Sequence, residues 1–320
     1  MNTIRMTSTT LVTMFFNLQE LEDVSSETRS FSFYESHCKY TLGIEAPLLL
    51  FCDSSTKPLL ETLRNSLVDS CLYPTIYIEK RLVDYEFYQN YLPIITENRK
   101  NIPMYVNHRN TPSYYLLTMF KINILKIAQE RNDFQSSHYT WIDIGCSHVA
   151  PTRFQECAKE IIQNPKPKIG VCYIHYRSSE ELASMKDYVA RQPCGVAAGV
   201  ITAEASYIPV FYEHMWSIFN EMLELRVGHS EETCLTYCVN RFPEMFSVYY
   251  GDYYSLLTNY HYVCRDYQTI KRHYIENVLR AKCSNLSQTV AHHILESVSL
   301  KHLTLSEQEV AWLQTLVTHL

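Results

Sequence analysis

Three short apolar runs in this chain each stop on a polar residue, and they constrain the fold more than any other feature. The runs are residues 10–16, ending at Asn17; residues 47–52, ending at Asp53; and residues 139–142, ending at Asp143 with Gly145 behind it. Such runs, apolar on both faces, read as strands buried on both sides, the habit of parallel sheets. Two further strands are predicted at residues 75–78 and 169–175.

Helical patterns fall between them. Phe31, Tyr34, Cys38 and Leu42 recur at near-helical spacing. Leu59, Leu60, Leu63 and Leu67 follow Ser54, Ser55, Thr56 and Pro58, residues suited to a helix start. Tyr115, Met119, Ile122, Leu125 and Ile127 give residues 113–130 an apolar face. Helices are also predicted at 151–162 and 208–225, and a long, partly helical connection runs through Pro93, Pro103 and Pro112. Strand and helix alternation predicts an α/β, doubly wound and mostly parallel sheet, in which ligands sit beyond the carboxyl ends of the strands. From about Thr269 the pattern is helical only, with Ser306 and Glu309 spaced as a capping box. One α/β domain over residues 1–265 with a helical extension over 266–320 is the expected organisation.

Composition narrows the chemistry. A net charge of −6 excludes an electrostatic nucleic-acid footprint. The N-terminal apolar run is too short to span a bilayer or serve as a signal, so a soluble, cytoplasmic protein is expected. Eleven cysteines without a C-x-x-C pair read as scattered buried thiols in a reducing compartment. Seven glycines cannot supply a G-x-G-x-x-G or G-x-x-x-x-G-K loop, so any phosphate must be held by a metal, basic side chains or helix N-termini.

The candidate residues each carry two readings. Asp143, delivered by Trp141-Ile-Asp-Ile-Gly145, either binds a divalent cation or caps the next turn. Gly145 is expected to ease that turn and leave room beside the acid. Glu231 and Glu232, behind Ser230 as helix N-cap, either favour a helix N-terminus or act as a general base. Tyr253, Tyr254 and Tyr260, around a Gly251-Asp252 turn between aromatic runs, either stack on a sugar or base or fill the core. His261 either completes a metal site with Asp143 or is structural. Arg81 and Lys121 are candidate phosphate partners.

In order along the chain, TLVTMFFNL (10–18), PLLLFCD (47–53), Arg81, YYLLTMFKINIL (114–125), WIDIGCSHV (141–149), GHSEETCL (228–235) and YYGDYYSLLTNY (249–260) resemble the HtrL/YibB family. The resemblance covers roughly residues 10–262 and implies a GT-A-like glycosyltransferase using a nucleotide-sugar donor, in first place a UDP-sugar, and a glycan or other hydroxyl acceptor. A non-catalytic sugar-nucleotide or glycan-binding member is the alternative. It further implies that Phe16 and Asn17 approach the nucleotide, that Asp53 lies near base or ribose, and that Asp143 takes the acidic metal position. Glu231 or Glu232 would be the catalytic or acceptor-binding acid. The GT-A motif is normally Asp-x-Asp, and Gly145 stands in place of the second acid. Either a Mn2+ or Mg2+ ion takes His148 or His261 as a ligand beside Asp143, or Asp143 acts without a tightly held metal. The segment at 195–200 falls where an acceptor-side turn is expected. Both a monomer and a homo-oligomer are compatible with the sequence.

Overall fold

The computed structural model describes residues 9–25, 28–100, 110–174, 177, 179–190, 195–226, 231–261 and 305–318, with 291–292, 295–296 and 298–299. Strands β1 (Thr9–Phe15), β2 (Leu48–Cys52), β3 (Thr75–Glu79), β4 (His138–Ile142), β5 (Ile169–Tyr173), β6 (Val196–Glu204) and β7 (Phe246–Tyr250) form one sheet in the order β3-β2-β1-β4-β6-β5-β7. All pairings are parallel except those of β6, which runs antiparallel to both β4 and β5.

The helices are α1 (Phe31–Leu42), α2 (Lys57–Leu67), α3 (Glu86–Lys100), α4 (Pro112–Arg131), α5 (Phe154–Gln163), α6 (Ser179–Leu182), α7 (Met185–Ala190), α8 (Ile208–Glu224) and α9 (Glu231–Arg241). They cover both faces of the sheet. Along β1, Val12 and Met14 pack with α3, α4, α8 and α9, while Leu11 and Phe15 pack with α1, α2 and α5. The side-chain period of two thus puts apolar groups on both faces, as the unbroken apolar runs required. The expected class, an α/β sheet that is mostly parallel and flanked by helices, is the one observed.

Two segments depart from the sequence reading. Residues 196–204 are a full strand, not an acceptor-side turn. Its alanines and glycine lack the β-branched signal, but pairing on both sides supplies the order. Residues 247–261 are not a hairpin: β7 pairs parallel with β5, and Asp252 opens a 3₁₀ turn with its carboxylate accepting from Ser255 N at 2.8 Å.

Residues 262–290, which include the expected boundary at 265 and the start of the helical extension, lie outside the described residues, as does Ser230. The helix Glu307–Thr318 follows Ser306, and Leu313 and Ala291 are buried in the cluster that contains α8. Among the described residues no helix is long and apolar enough to cross a membrane, and eight cysteines are free thiols, seven of them buried.

Candidate active site

A cleft of about 410 Å³ opens at the carboxyl edge of the sheet. Its floor is built by the ends of β1 (Phe15, Phe16) and β4 (Trp141, Asp143) and by Gly199 of β6. Tyr34 of α1, Tyr114, Thr118 and Lys121 of α4, Glu231 and Glu232 of α9, and Tyr253 form its walls.

Asp143 leaves β4 one residue past its last ladder pair. Its backbone N–H donates to Gly199 O at 2.9 Å, and its carbonyl accepts from Cys146 N at 2.9 Å, closing the turn. The side chain takes no part in that turn. Its Oδ1 accepts from Trp141 Nε1 at 2.7 Å and from Lys121 Nζ at 3.1 Å. The capping reading of this acid is therefore set aside by the geometry. Depth in the protein raises its pKa, the Lys121 ammonium opposes that, and Glu231 adds to it. Gly145 has a φ that any residue adopts. A Cβ there would meet the Tyr34 ring at 3.4 Å, so the glycine serves ring contact more than the turn.

Lys121 points from the middle of α4 into the cleft floor and is buried. Its ammonium bonds Asp143 Oδ1, Glu231 Oε1 at 2.7 Å and Ala198 O at 3.1 Å. Three donors meet three acceptors, so the group is saturated. Burial alone would lower its pKa, but the two carboxylates outweigh that and hold it raised.

The two glutamates of α9 face different partners. Glu231 is held by Lys121. Glu232 accepts from Ala198 N at 3.2 Å through Oε1 and from Tyr253 OH at 2.6 Å through Oε2. Burial and the neighbouring Glu231 push its pKa up to about 7, against those hydrogen bonds. A carboxyl poised there can take a proton from a hydroxyl near neutral pH.

Other expected site residues stand elsewhere. Asp53 ties the ends of β1 and β2 together, accepting from Asn17 N at 2.8 Å and Thr56 N at 3.0 Å, and neither Asp53 nor Asn17 lines the cleft. Arg81 is exposed and forks onto Asp84 at 2.9 and 2.7 Å. Tyr260 is wholly buried, with its hydroxyl 2.7 Å from Thr202 Oγ1, and Tyr254 is 70% exposed. His261 stacks edge-on against Tyr260 at 4.5 Å and does not line the cleft.

His148 does line the cleft. Its Nδ1 lies 2.7 Å from Gly145 O, so this nitrogen carries the proton and Nε2 is the lone-pair nitrogen. Burial lowers its pKa. The expected ion set of Asp143, His148 and His261 is not brought together. Among the described residues no three His, Cys, Asp or Glu side chains meet to hold a metal, and the Asp143 oxygen facing α4 already receives an ammonium. The residues present do not fit a protein-held divalent cation.

Sequence reasoning missed Arg29. It lies in a polar stretch before α1, lines the cleft, and sets its guanidinium 4.7 Å over the Phe33 ring. Its only local signal was a cation four residues from an aromatic at a helix start.

A seven-stranded sheet that is parallel except at β6, covered on both faces, with a cleft at its carboxyl edge, defines an α/β protein. The chain belongs to the HtrL/YibB family: the family model, described as a bacterial protein of unknown function, matches residues 7–261. No curated protein matches at a significant level. Among solved structures, it is similar to mouse xyloside xylosyltransferase 1 in its apo form, with 12% identity, a TM-score of 0.41, and coverage of 74% of this chain and 83% of that one. It is also similar to 4-diphosphocytidyl-2C-methyl-D-erythritol synthase from Anaerococcus prevotii, with 9% identity, a TM-score of 0.38, and coverage of 78% and 89%.

Proposed function

We propose that this protein is a glycosyltransferase that moves a sugar from a nucleotide-sugar donor, in first place a UDP-sugar, to a hydroxyl of a glycan or similar acceptor. The observation that carries this reading is two acids that line one cleft with different partners. Asp143 lies at the carboxyl end of β4, and Glu232, its pKa pushed up to about 7, is bonded by Tyr253 in the same cleft. Ligands of open α/β sheets bind at this edge.

In the proposed reaction the acceptor oxygen bonds to the anomeric carbon, and the bond from that carbon to the diphosphate breaks. Glu232 receives the acceptor proton, and the nucleoside diphosphate leaves with the electron pair. Asp143 and Lys121 shape the donor side of the floor, and Glu231 keeps Lys121 in place. The catalytic unit is taken as residues 1–265. The divalent cation expected from the family resemblance has no ligand set to recommend it, so no step is assigned to one.

A non-catalytic sugar-nucleotide-binding role is the second reading, and the saturation of the Asp143–Lys121–Glu231 cluster favours it. A donor screen separates the two. The full chain is incubated with a panel of nucleotide sugars and glycan acceptors, and release of nucleoside diphosphate is measured. Release that disappears in Asp143→Ala and Glu232→Gln supports transfer. Donor binding without release against any acceptor supports the second reading. Full transfer by Asp143→Ala would remove that residue from the donor site.

A further inference from the structure

If the cleft holds a diphosphate, something must meet its charge. A glycine-rich loop is excluded by composition, and the metal set is not assembled among the described residues. The helix that begins at the cleft, α9, places its own acids Glu231 and Glu232 in the first turn. Basic side chains remain. Arg81 is bound to Asp84 outside the cleft. Lys121 has given its three donors to Asp143, Glu231 and Ala198. His148 is held neutral by burial.

Among the described residues Arg29 is the remaining cleft cation, and no described carboxylate pairs with it. It is half-buried, and its guanidinium lies over the Phe33 ring and hydrogen-bonds Tyr34. The ring contact and the Tyr34 bond hold the guanidinium at the cleft, and a guanidinium has five N–H donors, so donors remain beyond the one given to Tyr34. A planar fork suits two oxygens of a phosphate. The floor offers less repulsion than its three acids suggest. Lys121 sits between Asp143 and Glu231, and Glu232 holds a proton over part of the neutral range.

We propose that Arg29 is the anion-binding residue of the cleft and that it receives the phosphate oxygens of a nucleoside diphosphate without a divalent cation. This rests on the nucleotide-sugar reading above. It assigns to one arginine the charge that the family resemblance assigned to a metal.

The test is calorimetric titration of the full chain with UDP and with inorganic pyrophosphate, in EDTA and then with Mn2+. UDP binding in EDTA is expected, with pyrophosphate competing. Arg29→Ala should weaken both about 10- to 100-fold while the unfolding midpoint is kept. Arg29→Lys should restore part of the loss, and Lys159→Ala, which removes an exposed lysine beside Glu45, should change nothing. Binding that appears only with Mn2+, or an Arg29→Ala variant that binds as well as the parent, overturns the inference and leaves the donor reading standing. Arg29-dependent pyrophosphate binding with no nucleoside diphosphate bound, across all common bases, keeps the inference and overturns the donor reading. No binding of either probe under any condition overturns both.

Discussion

Replacing Lys121 by methionine keeps its volume and removes its charge, and two carboxylates then face each other without a counter-ion. Truncating one partner of a buried ion pair costs about 3–5 kcal/mol, because a charge is left unpaired out of water. The two acids do not count equally. The Glu231 side chain is 7% accessible and cannot recover its hydration, whereas that of Asp143 is 44% accessible through the cleft and is screened by solvent. The loss should therefore fall near the lower end, at about 3 kcal/mol. At roughly 2–4 °C per kcal/mol this is a fall of about 6–12 °C in the thermal midpoint. The sign with pH follows from the shifts. Lys121 has a raised pKa, so its contribution is fully present below the unfolded lysine value of about 10.4 and is lost only as pH rises through the folded one. Without it, the carboxyl groups are destabilising above their unfolded values of about 4, and the gap from the parent should narrow as pH falls toward them. Lys121→Met/Glu231→Gln should recover most of the loss. Urea unfolding at several pH values measures all of this. A loss under about 1 kcal/mol, the range of an exposed pair, or a double variant no more stable than the single one, would refute the buried-pair reasoning.

Glu232→Gln should lower kcat by about 10²- to 10⁴-fold, the usual contribution of a general base, with UDP affinity unchanged. Because the base works ionised, the parent's rate should climb with pH through about 7, the value to which burial and Glu231 push this carboxyl; a flat profile would count against it. Tyr253→Phe removes a hydrogen bond that favours the ionised form, so the same profile should move to higher pH, and a move the other way would contradict the 2.6 Å contact. Gly170→Ala would set a Cβ 2.2 Å from Thr202 Oγ1 and 3.3 Å from the Tyr260 hydroxyl. It should cost about 1–3 kcal/mol by overpacking, read by urea unfolding, and leave UDP binding intact.

What the sequence made legible was whatever local pattern determines. Residues 10–16 read as a strand, and β1 runs Thr9–Phe15, because apolar groups on both faces leave a parallel, doubly covered strand as the stable outcome. The near-helical spacing of Phe31, Tyr34, Cys38 and Leu42 is met by α1, whose N-cap Ser30 accepts from Phe33 N. Strand β6 was missed because its order comes from β4 and β5, which flank it from distant parts of the chain. The site was legible by residue type and illegible by pairing. Lys121, Asp143 and Glu231 were each suspected, but their bonds cross 22 and 110 residues, a distance no periodicity encodes. Asp53 was placed at a strand end correctly, yet its carboxylate turns toward Asn17 N and away from the cleft, a choice made by the neighbouring strand. Arg29 carried only a cation–aromatic spacing, too common to single it out.

The contrast between Glu231 and Glu232 shows what the fold adds to such a list. They are the same residue type, adjacent, in the first turn of one helix, and by sequence they share one role. Successive helical side chains point about 100° apart, so one fold cannot give both the same surroundings. One turns toward α4 and meets the ammonium of Lys121. The other turns toward β6 and meets an amide and a phenol, which are neutral. A carboxyl bonded only by neutral donors and pressed by a neighbouring charge, as Glu232 is, gains a proton readily. In the proposed reaction, the division of labour between a positioning acid and a proton-accepting acid thus follows from a one-residue step along α9. Exchanging the surroundings should exchange the roles: a variant that neutralises Glu231 relieves the pressure on Glu232 and should shift the rate profile to lower pH while weakening the hold on Lys121.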